Sequence, residues 1–179
     1  MRFTNREFWT IVHGMVLGAI FLLAFAGGLA GFWSLKPGLV TERGVRERTI
    51  RLKWGTWVMA AAAWLTVFTG TWIVYPWYRF DTGACEENLT ADCGAKFNLL
   101  ADESTAQWHE FGMEWKEHVA WIAPLLATAV AVAVTYYGAS LIRHQRLRRA
   151  LMVTFTAAFV IAGIAGAFGA FITKSAPIT

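Results

Sequence analysis

Apolar residues run almost without interruption over about Phe8–Trp33, Trp54–Tyr78, Val119–Ile142 and Ala150–Thr173, and polar residues collect between these runs. A helix needs roughly 20 residues to cross a bilayer core of about 30 Å, and each run is longer than that. The pattern predicts an all-α integral membrane four-helix bundle. Its four spans and their connections use nearly all of the 179 residues, so 1–179 reads as a single transmembrane domain with no separate soluble part. The hydrophobic fraction of 56% excludes an ordinary soluble domain, and lipid rather than nucleic acid is the expected environment.

Charge changes this picture by giving the bundle a direction. The connection from Ser34 to Lys53 carries Lys36, Arg43, Arg46, Arg48, Arg51 and Lys53 against Glu42 and Glu47, and Arg143 to Arg149 carries four arginines and no acid. Between spans two and three the balance reverses: Asp81, Glu86, Glu87, Asp92, Asp102, Glu103, Glu110, Glu114 and Glu117 oppose Arg79, Lys96 and Lys116. Short loops rich in Lys and Arg stay in the cytoplasm on insertion. Both termini and the long loop 79–118 are therefore expected outside, as in a multi-pass protein of a bacterial inner membrane. Arg2 and Arg6 ahead of the first run, with Ala24-Phe25-Ala26, mimic a secretion signal. Because the run continues to Trp33 and the chain starts at Met1, span one is expected to be retained.

The outer loop holds both cysteines, Cys85 and Cys93, among Gly, Asn and acidic residues. That setting suits a disulfide in an oxidising compartment; a metal pair is the alternative, without a neighbouring His to support it. The second half of the loop, Asp102 to Glu117, reads as a helix continuing into span three. Its acids offer a negative surface to a basic soluble partner, such as a periplasmic cytochrome, by electrostatic complementarity. A solvated acidic face is the plainer reading. Trp9, Trp72, Trp77, Trp115 and Trp121 fall at the expected outer interface and Trp33, Trp54, Trp57, Tyr136 and Tyr137 at the inner one, as aromatic belts do. Gly14, Gly18, Gly27, Gly28 and Gly31 in span one, and Gly163, Gly166 and Gly169 in span four, suit close helix contacts; the same glycines would also admit a flat macrocycle.

Histidine carries the candidate chemistry. His13 in span one and His118 at the entry of span three fall at matching depth on different helices. Ionisable groups inside a membrane segment are costly and face a partner or a cavity. Two such imidazoles are what bis-histidine ligation of a haem b requires, one nitrogen from each side of the iron. Gly14 and Gly18 would give the ring room, and Glu114, one turn before His118, would fix its tautomer. Pro124 would free the carbonyl of Ala120 and bend the helix nearby. Beside this stand structural readings: His118 bonded to Glu114 or water at the interface, and His13 bonded to a carbonyl in the bundle. Near His109, the row Glu110, Glu114 and His118 on one helical face could also line a metal, but no HExxH motif or second carboxylate–histidine helix occurs, and a solvated, partly amphipathic turn is the plainer reading. His144 in the basic loop reads as a contact to lipid phosphate or water. Thr66, Thr69 and Thr71 in span two read as satisfied by their own helix. With no acid or base at mid-span, a pump or channel is disfavoured.

Spans two and four contain no histidine, so one haem near the outer face is expected, not two across the bilayer. The four helices with His13 and His118 resemble small four-helix membrane b-type cytochrome subunits that anchor respiratory complexes. The resemblance covers the helical core, and it departs from di-haem cytochromes with histidine pairs on both sides. It implies a membrane electron-transfer subunit with haem b ligated by His13 and His118, working beside other redox subunits and not as an independent enzyme. The alternatives are a cofactor-free accessory subunit of a respiratory or photosynthetic complex, and an outer-face quinone-binding subunit near Arg79.

Overall fold

The computed structural model describes residues 4–39 and 41–176; Arg2, part of the basic leader, lies outside them. The described residues are helical and contain no strand. Four helices are long and apolar enough to cross a membrane: α1 (Asn5–Ser34), α2 (Glu42–Tyr78), α4 (Glu103–Ile142) and α5 (Gln145–Ser175). A short α3 (Ala95–Leu100) lies between α2 and α4. All four exceed their expected spans, because the charged flanking turns continue the helix. Thr4 starts α1 with a capping box: its hydroxyl accepts from Glu7 N–H while the Glu7 carboxylate accepts from Thr4 N–H. Asp102 starts α4 by accepting from Ser104 N–H at 2.8 Å. The predicted helix from Asp102 into span three is present.

The residues form two compact units. One comprises 4–17, 65–121 and 163–176; the other comprises Gly18–Trp64 and Ile122–Ala162. Each of the four long helices contributes a stretch to both.

The second unit holds a large apolar core of Phe32, Leu52, Met59, Val130, Val134 and Phe155 among small alanines. Glycines admit α1 to it. A Cβ on Gly28 would stand 2.7 Å from the Phe155 ring, and one on Gly31 would stand 3.1 Å from Leu52. Phe25 and Phe159 stack at 3.9 Å. Polar ties run between α2 and α4: the indoles of Trp57 and Trp64 donate to Thr135 Oγ1 (2.9 Å) and Thr128 Oγ1 (3.0 Å). Each threonine hydroxyl donates to its own helix, to Ala131 O and Pro124 O, leaving its lone pair for the indole. Trp57, expected in an aromatic belt, is thus also a crosslink.

The basic connections of this unit are more than solvated loops. Arg48 donates to Ser34 O at 2.8 Å. Arg148, 5% exposed, donates to Leu35 O and to Ile142 O. These guanidinium groups satisfy carbonyls at and just beyond the C-termini of α1 and α4, where partial negative charge collects.

The glycine expectation needs correction in part. Gly28, Gly31 and Gly169 meet neighbouring helices, but a Cβ on Gly14, Gly18, Gly27, Gly163 or Gly166 would meet nothing within 4 Å. Small size alone does not reveal which side of an apolar helix is covered.

The first unit contains the disulfide. Cys85 and Cys93 are bonded, with Cα atoms 5.8 Å apart, and pack with Phe97 of α3. Gly94 lets this segment close on the end of α2, donating to Phe80 O at 2.8 Å. A side chain there would collide with the backbone of Tyr78 and Phe80.

Candidate functional site

All the π-helical turns among the described residues lie in the first unit: Val12–Val16 in α1, Gly70–Val74 in α2, and Trp108–Met113 and Trp115–Val119 in α4. In them the ladder slips to i→i−5, as from Leu17 N–H to Val12 O, Tyr75 N–H to Gly70 O and Ala120 N–H to Trp115 O. Such turns are rare and gather at functional sites. α4 then passes through two irregular residues, Ala120 and Trp121, just before Pro124, which has no N–H to offer Ala120.

His13 sits in the first of these turns, half-buried against the second. A Cβ on Gly70 would stand 2.8 Å from its Cε1, so only glycine lets the imidazole lie on α2. Its Nδ1 is 3.1 Å from Thr69 Oγ1. That hydroxyl also donates to Leu65 O at 2.7 Å. Thr69, expected to be satisfied within its own helix, thus also contacts His13.

His118 faces elsewhere. Its side chain is 69% exposed. Nδ1 lies 3.1 Å from Glu114 O and 3.3 Å from the Glu114 carboxylate, itself 61% exposed. The expected partnership with Glu114 is present, and it holds His118 along its own helix. The two expected haem ligands are thus each engaged separately, His13 with Thr69 of α2 and His118 with Glu114 of its own helix. Gly14 and Gly18 leave open space and contact neither histidine's partners.

Lys116 gave no signal in the sequence beyond its charge. Its Nζ reaches α5, where a Cβ on Gly169 would stand 2.7 Å away. It makes no hydrogen bond or ion pair among the described residues. The neighbouring Trp115 packs edge-on to Phe168 of α5, with ring centroids 6.2 Å apart. Its buried Nε1 also has no acceptor. Gly112, one turn earlier, lies against the same Phe168 ring. Two adjacent residues of α4 thus reach α5, and one of them, Trp115, brings a buried donor without an acceptor.

A second polar group joins α2 to α4. The hydroxyl of buried Tyr78 is 2.8 Å from His109 Nδ1, and Arg79 donates to Tyr75 OH at 2.8 Å. His109 is therefore a partner of Tyr78. His144 is exposed beside Tyr137. Among the described residues, no three His, Cys, Asp or Glu side chains are grouped to hold a metal ion. No family model, no curated protein and no solved structure matches this chain.

Proposed function

We propose that the protein is a multi-pass inner-membrane subunit of a respiratory or photosynthetic redox complex, with its electron-carrier site in the first unit around His13. The observation that carries this reading is half-buried His13 of one apolar helix held on the next, its Nδ1 3.1 Å from Thr69 Oγ1 and its ring against Gly70. Ionisable side chains in such segments mark cofactor or proton sites by default. The bias of Lys and Arg toward the 34–53 and 143–149 connections supports cytoplasmic placement of both, with the termini and the disulfide loop outside.

Between the two carriers raised by the sequence, the site favours an organic one. A haem b on His13 and His118 would have to displace the contacts that now engage them, Thr69 for His13 and Glu114 for His118. The positive charge of Lys116 on α4 also opposes a cationic iron centre and suits a carbonyl or anionic oxygen. The test is purification in mild detergent, followed by an oxidised and reduced visible spectrum, organic extraction and identification of co-purifying subunits. The reading expects redox subunits to accompany the chain and a redox-active lipid in the extract that is depleted in His13→Ala. A preparation carrying neither would overturn it. Sharp α-bands lost in both His13→Ala and His118→Ala would restore the haem.

A further inference from the structure

We propose that the cleft between the start of α1, the end of α2 and the disulfide loop binds the zwitterionic head group of phosphatidylethanolamine. Arg6, Trp77, Phe80, Thr82, Ala91 and Asp92 line this cleft, and its volume is about 510 Å³. Ligand pockets hold roughly 300–1,000 Å³, so a head group fits with the start of its chains. All six residues belong to the first unit. The inference is independent of the redox reading and requires only that the long helices cross a bilayer.

The helices set the depth of the cleft. Arg6 is the second residue of α1, Trp77 lies in the last turn of α2, and Phe80 follows two residues after that helix. The ends of membrane-crossing helices meet the lipid head groups, a level that Trp favours. The wall opposite is braced by the chain behind it. The Asp81 carboxylate accepts from the N–H groups of Gly83 and Cys85, and Gly94 donates to Phe80 O. The Cys85–Cys93 bond fastens the segment that carries Ala91 and Asp92.

Charge selects the ligand. One cation and one anion line the cleft, half-buried Arg6 and exposed Asp92. Neither is ion-paired with the other or with another described residue. A guanidinium matches phosphate oxygens through its fork of N–H donors, and a carboxylate accepts from a primary ammonium. Trp77 and Phe80 add aromatic surface that attracts a cation. A ligand with phosphate and ammonium a few bonds apart answers both charges at once. Phosphatidylglycerol, an anion without an amine, would answer Arg6 and leave Asp92 facing a like charge.

The experiment titrates the full-length protein in detergent with phosphatidylethanolamine and, separately, with phosphatidylglycerol, and counts bound lipid by native mass spectrometry. The wild type should bind phosphatidylethanolamine about tenfold more tightly, the discrimination expected of one charge-assisted hydrogen bond. Asp92→Asn should remove most of that preference by weakening phosphatidylethanolamine alone. Arg6→Gln should weaken both lipids about tenfold and leave their ratio unchanged. Glycerophosphoethanolamine, the same head without acyl chains, should compete only at large excess. Equal wild-type affinity for the two lipids, a preference that survives Asp92→Asn, or wild-type affinities in Arg6→Gln would overturn the site. Glycerophosphoethanolamine bound as tightly as the lipid would overturn the lipid assignment in favour of a free zwitterion. Should Arg6→Gln fail to fold, Asp92→Asn, at an exposed position, decides.

Discussion

His13 and Thr69 meet side chain to side chain: the imidazole Nδ1 lies 3.1 Å from the hydroxyl, and the hydroxyl donates to Leu65 O at 2.7 Å. Thr69→Val keeps the shape and removes the hydroxyl. It should cost about 1–3 kcal/mol, because a half-buried ring nitrogen loses its partner, whereas Thr69→Ser should cost little. Thermal unfolding in detergent reads the loss. The ring-nitrogen chemical shifts of labelled His13 should change in Thr69→Val; identical shifts in the two proteins would refute the contact.

Arg148 should resist even its closest substitute. Nη1 of its guanidinium serves both Leu35 O and Ile142 O, and a lysine replaces that rigid planar head by a flexible point ammonium. Arg148→Met leaves buried carbonyls unpaired and should lower stability by about 1–3 kcal/mol, with Arg148→Lys falling between. Melting temperatures of the three proteins give the order, and equal values would show that the carbonyls find other donors.

Glycines of similar sequence context should respond oppositely to alanine. Gly28→Ala drives a methyl into the Phe155 ring and should cost about 1–3 kcal/mol through overpacking. Gly14→Ala meets open space and should be neutral or stabilising by up to about 1 kcal/mol, from helix propensity. Paired unfolding measurements decide, and equal destabilisation would mean that Gly14 is covered.

Acid should fray the start of α4. Hydrogen bonds from Ser104 hold the Asp102 carboxyl below its ordinary value of 3.8. A carboxylate with a depressed folded value contributes its stability above the unfolded pKa and loses it as pH falls through the folded value. Exchange protection of the Ser104 and Thr105 amides should therefore drop below about pH 4. In Asp102→Asn, which keeps an acceptor without a charge, that pH dependence should vanish.

Features set by run length and composition were legible in advance. Four long apolar runs became four long helices, and Cys85 and Cys93 found each other. The facing of side chains was not legible. That His13 lies against Thr69 and Gly70 of α2, and His118 along its own helix at Glu114, depends on how each helix is rotated. Helices that are apolar on all sides carry no stripe from which rotation can be read. The π turns add a local phase shift that no residue pattern announced. Arg148 was equally hidden, because a cation in a basic loop and one bound to helix carbonyls have the same sequence signature.

The π turns also change what shortening the chain would do. Each accommodates one residue more than the regular coil, so its removal shifts the azimuth of everything on one side by about 100°. A one-residue deletion, ordinarily ruinous inside a long helix, would be a regularising edit within Val12–Val16. It would mend the ladder while swinging Arg6 and Trp9 to a new bearing. Indel scanning along α1, α2 and α4 would therefore chart which widened coils the molecule needs.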